Sequence, residues 1–210
     1  MIGLTVKGLA KYMDSNSSKQ RKILRDYKYP KPEGVAQTLY YAEARAAIRS
    51  FHQRQRDQAW LQGISNQVAA AGNATPGKAG VRLRNNAEVI SAYVRYFGDK
   101  PLQHQGTSTF KHTHKGVRIS LTPDLAGIEN KIQKYIFLHL SAEPPTRRLY
   151  TIISQLLFLE VGKHAPVTNR NIEFIDVRRG VIHRVAKMRS RLSHEIEDAC
   201  DNIEAIWPSI

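Results

Sequence analysis

Residues 134–163, KYIFLHLSAEPPTRRLYTIISQLLFLEVGK, join a strand pattern to a helix pattern. The run 134–140 is rich in apolar, β-branched and aromatic side chains, which predicts a strand within a core. Pro145 stands at the start and Gly162 near the end of the following segment, which predicts a helix over 145–163. The other predicted strands lie on both sides of this strand and helix in the sequence.

Further strand patterns lie on both sides of this pair. Upstream, the sequence predicts strands at 107–113 and 117–123, with a hairpin turn at 114–116. Downstream, it predicts strands at 171–177 and 181–185, followed by a helix over 186–206. Strands with helices between and after them are typical of an α+β fold, here a mixed sheet of about five strands flanked by helices.

The N-terminal part of the chain has helical patterns. Thr5 is the predicted cap of a helix that ends near Met13, and Asn16 or Ser17 caps a second helix that Pro30 stops. Residues 35–71 predict one long helix, or two that meet at Gly63, and 72–80 a loop before a helix at 85–97. We therefore expect a helical N-terminal region, 1–80, and an α+β core with a C-terminal helix, 81–210.

Composition excludes several classes of protein. The 210 residues include 32 Lys and Arg against 18 Asp and Glu, a formal net charge of +14. The single cysteine, Cys200, excludes a disulfide within the chain and a metal site built from several cysteines. No apolar run approaches the roughly 20 residues of a membrane-spanning helix, and the first residues do not resemble a secretory signal. We expect a cytoplasmic protein with a polyanionic partner and no membrane association.

Basic side chains concentrate in three clusters. The second cluster, three arginines within residues 45–56, has the 4- and 7-residue spacings that align side chains along one helix face. Such clusters favour phosphate contacts with DNA or RNA. The first cluster comprises Lys19, Arg21, Lys22, Arg25 and Lys28; the second, Arg45, Arg49 and Arg56; the third, Arg178, Arg179, Arg184, Lys187, Arg189 and Arg191.

The string RISLTPDLAG, residues 118–127, places Asp124 after a predicted strand. A carboxylate fixed at a sheet end can bind a divalent metal. Glu129, Lys131, Lys134 and Glu143 lie nearby in sequence and are candidate partners. The alternative interpretation is an aspartate that caps a turn after a proline.

This order of elements, with a strand that ends in Pro-Asp-Leu, resembles the PD-(D/E)XK nuclease superfamily, particularly its RecB-like branch, over about residues 85–185. The resemblance implies that Asp124 and an acidic-x-Lys motif on the next strand bind magnesium and orient the attacking water. His139, Leu140 and Ser141 stand at the place of that motif. Gln155 matches the glutamine of the family's next helix, and Glu43 its early acidic residue. The resemblance therefore implies a nuclease-like core that has lost catalysis.

Three functional hypotheses follow. The first is a nucleic-acid-binding protein with an inactive nuclease-like core and no cofactor, a component of a DNA repair, mobile-element or phage-defence system. The second is a magnesium-dependent nuclease in which Asp124 binds the metal and Glu129 and Lys131 act as displaced catalytic partners. The third is an adaptor whose positive charge binds an acidic protein, or a homo-oligomer. Residues 58–77 contain no Lys, Arg, Asp or Glu, and such an uncharged segment would suit a protein interface if it is exposed.

The histidines and the cysteine form a separate candidate set. His112 and His114 form an H-x-H pair beside the predicted hairpin turn, and alternate residues of a strand point to one face, so both could share a metal with His104 or His183. The alternative is an exposed, polar hairpin tip. His139 lies in an apolar strand, which favours an interior histidine. Carboxylates around Cys200 are expected to raise the pKa of its thiol, which favours packing over nucleophilic chemistry.

Overall fold

A computed structural model describes residues 1–30, 39–185 and 189–210, and its described part is an α+β fold, as predicted. The helices are α1 Val6–Met13, α2 Ser17–Lys28, α3 Ala42–Gln53, α4 Gln58–Ala74, α5 Gly77–Phe97, α6 Arg147–Gly162 and α7 Ser190–Ile206, followed by a short 3-10 turn, Trp207–Ser209. The strands are β1 Ile2–Thr5, β2 Gln103–Gln105, β3 Phe110–His114, β4 Val117–Leu121, β5 Leu125–Glu129, β6 Ile132–His139, β7 Ile172–Asp176 and β8 Val181–His183. None of the helices in these ranges is both long enough and apolar enough to cross a membrane.

The larger sheet contains five strands in the order β2-β5-β6-β7-β8. Strands β6 and β7 are parallel and are joined by α6, whereas the other neighbours are antiparallel. The predicted strand, helix and strand around residues 134–177 are thus confirmed. Asn130 and Lys131, with φ of 50° and 64°, form the tight turn between β5 and β6.

A smaller sheet has the order β1-β4-β3 and ties the N-terminus to the rest of the chain. Strand β1 runs parallel to β4, with Ile2 beside Val117 and Thr5 beside Ser120. The side chain of Thr5 accepts a hydrogen bond from the Gly8 amide and so caps α1, as predicted. The first helices therefore pack directly on the α+β part.

The five-stranded sheet separates two hydrophobic cores. Phe137 and Phe174 face a core that they share with α1, α6 and α7. Ile136 and Leu138 point to the opposite face, where they pack against α3, α4 and α5. Because both faces are covered, residues 135–138 of β6 form a continuous apolar run rather than an alternating pattern.

The predicted helix 35–71 and loop 72–80 are wrong in detail. The break falls at residues 54–57, where Gln55 and Arg56 have φ of 57° and 66°, and not at Gly63. Helix α4 continues to Ala74, and only two residues precede α5. A β carbon on Gly80 would collide with the Thr75 carbonyl, so this glycine permits a close helix pair rather than a loop. Residues 35–38 of the prediction lie outside the described residues.

The strands around Asp124 also differ from the prediction. The strand expected at 117–123 ends at Leu121, and an additional strand, β5, begins at Leu125. Asp124 therefore lies in a link between the two sheets, at the start of a strand rather than the end of one. The last helix begins at Ser190, and residues 186–188 of its predicted range lie outside the described residues.

Candidate nucleic-acid interface and the Asp124 site

Asp124 is held at the edge of the larger sheet where β6 ends. Its amide donates to the Ile136 carbonyl over 2.9 Å, and the Leu138 amide donates to Asp124 Oδ2 over 2.8 Å. In open α/β sheets, ligands commonly bind outside the carboxyl ends of parallel strands. Asp124 thus lies beside the edge of the sheet at which the parallel strands β6 and β7 end.

Two cations already neutralise Asp124. Arg45 Nε lies 2.9 Å from Asp124 Oδ1, and Lys7 Nζ lies 3.6 Å from Oδ2. Although 37% of the Lys7 side chain is exposed, burial lowers the pKa of its ammonium, while Asp124 opposes that shift. Only 11% of the Asp124 side chain is exposed. A metal ion would therefore have to displace an existing cation to reach this carboxylate.

The strand beside Asp124 ends in an imidazole instead of an acidic residue and a lysine. His139 Nε2 lies 2.6 Å from the Glu143 carbonyl, so this nitrogen is the donor. Burial lowers the pKa of His139, which favours the neutral imidazole, although the hydrogen bond to the Glu143 carbonyl partly opposes this shift. Asp176 pairs with His139 in the β6–β7 register, but its carboxylate is bound to Arg179 at 3.0 Å. His139 is half-buried at the end of β6 and is therefore less interior than the apolar strand pattern predicts.

The structure does not bring Glu129 and Lys131 to Asp124. Both lie at or just beyond the far end of β5, and at about 3.4 Å per residue Glu129 is roughly 17 Å from Asp124 along the strand. Lys131 is exposed in the turn after β5. The grouping of these three residues as a displaced catalytic site therefore has no counterpart in the fold.

Glu129 instead belongs to a buried network of charged side chains. Lys100 Nζ lies 2.7 Å from Glu129 and 2.9 Å from Glu173, while Lys134 Nζ lies 3.2 Å and 2.8 Å from the same two carboxylates. Arg184 binds Glu173 at 2.7 Å. Burial opposes ionisation of Glu173, but hydrogen bonds from Lys134 and Lys100 prevail and lower its pKa to about 2. Because Glu173 is completely buried, the network links strands and offers little access to a substrate.

The predicted histidine cluster is not assembled. His112 Nδ1 lies 2.7 Å from Glu160, and His114 Nε2 lies 2.9 Å from Asp201. His183 stacks on Tyr150 with ring centroids 4.3 Å apart. In the ranges that the structure describes, no three side chains of the metal-binding types come together.

The first basic cluster lies on α2 and is largely open to solvent. Lys19, Arg21, Lys22 and Arg25 are exposed. Among the described residues none of these four has an acidic side chain within ion-pair distance. Lys28 differs, because its ammonium donates to the Trp207 carbonyl over 2.8 Å. Four of the five predicted residues are therefore available to a partner.

The second and third clusters are divided between internal ion pairs and exposed positions. Arg45 binds Asp124, and Arg178 binds Glu88 at 2.8 Å and the Leu140 carbonyl at 3.0 Å. Arg179 binds Asp176 and Arg184 binds Glu173, so both arginines also support the sheet. Arg56, Arg189 and Arg191 are exposed, Arg49 is half-buried, and Lys187 lies outside the described residues.

The remaining candidates have structural contacts. Gln155 is buried; its side-chain oxygen accepts from the Arg189 amide over 3.1 Å, so it orders the start of α7. Glu43 binds Arg82 at 2.9 Å. Burial, with help from Asp201, raises the pKa of Cys200 to about 11, in agreement with the predicted direction.

Positive charge dominates the described surface. It exposes 22 lysines and arginines but only eight aspartates and glutamates, so the excess positive charge lies at the surface and not in the core. No protein-family model, curated protein or solved structure matches the chain.

Proposed function

We propose that this protein binds nucleic acid through its exposed cations and that its nuclease-like core does not cleave the bound strand. The observation that carries this proposal is the excess of exposed lysine and arginine over exposed acidic side chains. A polyanion gains affinity from such a surface by releasing its condensed counterions. No cofactor is required for this activity.

Helix α2 is the proposed principal contact. Its 12 residues present four exposed cations, and burial of Leu24 anchors the opposite side of the helix in a core. The helix also lies against α1, which is itself fixed by β1. A rigid helix with several cations can contact phosphates without reading base sequence.

The absence of cleavage is proposed from the surroundings of Asp124. Its two oxygens already interact with Arg45, Lys7 and the Leu138 amide. The neighbouring strand supplies neutral His139 where the resembled nucleases have a carboxylate and a lysine. We place this protein as a nucleic-acid-binding component of a cytoplasmic DNA repair, mobile-element or phage-defence system.

The test combines binding and cleavage in the same samples. Labelled single- and double-stranded DNA and RNA are incubated with the protein in EDTA, Mg²⁺ or Mn²⁺. We expect binding in all three conditions and intact nucleic acid in each. Metal-dependent cleavage that disappears in Asp124→Ala would instead establish the nuclease hypothesis, and failure to bind at low salt would favour an acidic protein partner.

A variant of α2 identifies the contact surface. Replacing Lys19, Arg21, Lys22 and Arg25 with glutamine should weaken binding at least tenfold. The matched control replaces four exposed cations elsewhere, Lys78, Lys111, Arg118 and Arg170, and removes the same charge. Equal weakening in both variants would show that net charge, and not α2, determines the affinity.

A further inference from the structure

Helices α4 and α5 enclose an open groove of about 520 Å³. Small side chains of both helices form its floor. Ser65 is buried there; its hydroxyl donates to the Ala87 carbonyl over 2.8 Å and lies 2.8 Å from Ser91 Oγ. Ligand sites commonly have volumes of roughly 300–1,000 Å³, so the groove is large enough to hold a ligand.

The sides of the groove carry more positive than negative charge. Arg84, Arg95 and Arg178 line it together with Glu88. Arg178 Nη1 lies 2.8 Å from Glu88 Oε2, whereas in the described part of the chain Arg84 and Arg95 have no acidic side chain within ion-pair distance. Arg84 is held in place because its Nη1 donates to the Gly72 carbonyl over 2.7 Å. The groove therefore favours an anionic ligand.

An exposed aromatic ring lies at the Arg95 end of the groove. The Tyr96 side chain lines the groove, and 46% of the residue is exposed. A β carbon on Gly180 would lie 2.6 Å from Tyr96 Cγ, so the turn between β7 and β8 packs closely against the ring. The guanidinium carbon of Arg95 lies 5.8 Å from the ring centroid. Proteins that bind single strands use such rings, next to cations, as platforms on which unpaired bases stack.

We propose that this groove binds an unpaired base and the flanking phosphates of a single-stranded nucleic acid. The proposal rests on the proposed function and names a single strand as the ligand of this surface. The base stacks on Tyr96, while Arg84 and Arg95 bind phosphates. In a duplex the bases are paired and stacked on one another, so they cannot reach the ring.

The length of the groove favours a strand over a free nucleotide. Arg84 and Tyr96 are separated by about 18 Å along α5, at 1.5 Å per residue. This separation exceeds the distance between the base and the phosphate of one nucleotide. A strand of several nucleotides is therefore needed to contact both ends.

The groove is separate from α2. Helices α4 and α5 pack on the face of the five-stranded sheet that carries Ile136 and Leu138. Leu24 of α2 belongs to the core on the opposite face. The two surfaces can therefore be changed independently.

The first test compares a single strand with a duplex. Oligothymidylate and a duplex of the same strand length are titrated with the wild type, Tyr96→Ala and Tyr96→Phe, after circular dichroism has shown that each variant is folded. Loss of one base–aromatic stack should weaken single-strand binding by Tyr96→Ala about 5- to 150-fold. Tyr96→Phe keeps the ring and should retain the wild-type affinity, and duplex affinity should be unchanged in both variants.

The second test measures the phosphate contacts. Arg84→Gln combined with Arg95→Gln removes two of them, so the slope of log affinity for oligothymidylate against log salt should become shallower by about 1.4. The matched control, Lys111→Gln combined with Arg170→Gln, removes the same charge from exposed positions outside the groove. This control should retain most of the wild-type slope.

The third test uses the wild-type protein alone. Oligothymidylate that contains 5-bromouracil is crosslinked to the protein by ultraviolet light, and the modified residue is identified by mass spectrometry. We expect a crosslink at Tyr96. Crosslinks confined to positions outside the groove overturn the proposal, even if the Tyr96 variants do not fold.

The outcomes separate this subsite from the general function. Unchanged single-strand affinity in folded Tyr96→Ala overturns the subsite, as does an equal loss in Tyr96→Phe, an equal loss of duplex affinity, or an unchanged salt slope in the double arginine variant. In each case binding by the wild type still supports the proposed function. A wild-type protein that binds neither oligonucleotide overturns both. A ring-dependent loss that is specific to the single strand, with a crosslink at Tyr96, supports the subsite.

Discussion

Replacing Glu173 with glutamine should strongly destabilise the fold. The Glu173 carboxylate accepts hydrogen bonds from Lys100, Lys134 and Arg184 over 2.7–2.9 Å in a completely buried position. Its pKa of about 2, against an ordinary value of 4.5, corresponds to about 3 kcal/mol that favours the ionised, folded state. Removing one partner of a buried ion pair costs a similar amount, about 3–5 kcal/mol.

Urea unfolding followed by circular dichroism measures this loss. We expect a lower midpoint with an unchanged slope, which indicates a change in stability and not in the surface exposed on unfolding. The control, Glu88→Gln, removes a carboxylate whose side chain is 61% exposed and should cost less than about 1 kcal/mol. If Glu173→Gln unfolds within 0.5 kcal/mol of the wild type, on the order of experimental scatter, the network does not stabilise the fold as argued.

Three further predictions follow from individual contacts. Because the pKa of Glu173 is depressed, its contribution to stability is complete above about pH 4.5 and is lost as the pH falls through about 2. The free energy of unfolding of the wild type should therefore fall more steeply with pH in that window than that of Glu173→Gln. Gly80→Ala should cost about 1–3 kcal/mol in urea unfolding, since its β carbon would meet the Thr75 carbonyl; wild-type stability would show that α4 and α5 are not so close. Asp124→Asn should lower the free energy of unfolding by about 1–3 kcal/mol, because it removes the charge that holds Arg45. Oligonucleotide affinity should stay within threefold of the wild type, on the order of 0.6 kcal/mol. A larger loss of affinity would place Asp124 in the binding surface.

The central elements could be predicted because each has a strong local signal. The apolar run of β6 and the apolar segment of α6 have lengths and periodicities that distinguish a strand from a helix. Thr5 and Asn16 cap α1 and α2 through their side chains, as their sequence positions indicate. These features depend on neighbouring residues, so sequence alone reveals them.

The missed strands are formed by contacts that are distant in sequence. Strand β1 depends on pairing with β4, more than 100 residues later. Strand β5, LAGIE, is short and contains the small residues Ala126 and Gly127, but β2 and β6 pair with both of its edges. Gly72 and Gly80 resemble loop glycines in the sequence although they permit close helix packing.

The candidate site was predicted only in part for the same reason. Asp124 was identified from its Pro-Asp motif, but the partners that neutralise it, Lys7 and Arg45, lie on separate helices. The charged network draws Lys100 and Glu173 from segments more than 70 residues apart. The position of Glu173 between Ile172 and Phe174, in the run NIEFIDV, was the available sign that this carboxylate needs a buried counterion.

The most direct test of the proposed function is the salt dependence of duplex DNA binding by the wild type and the α2 variant, in which Lys19, Arg21, Lys22 and Arg25 are glutamine. If α2 contacts about three to four phosphates, the slope of log affinity against log salt should become shallower by about 3. The control that lacks four other exposed cations should retain most of its slope. Equal slopes in the wild type and the α2 variant, or no binding by the wild type at low salt, would contradict the proposal.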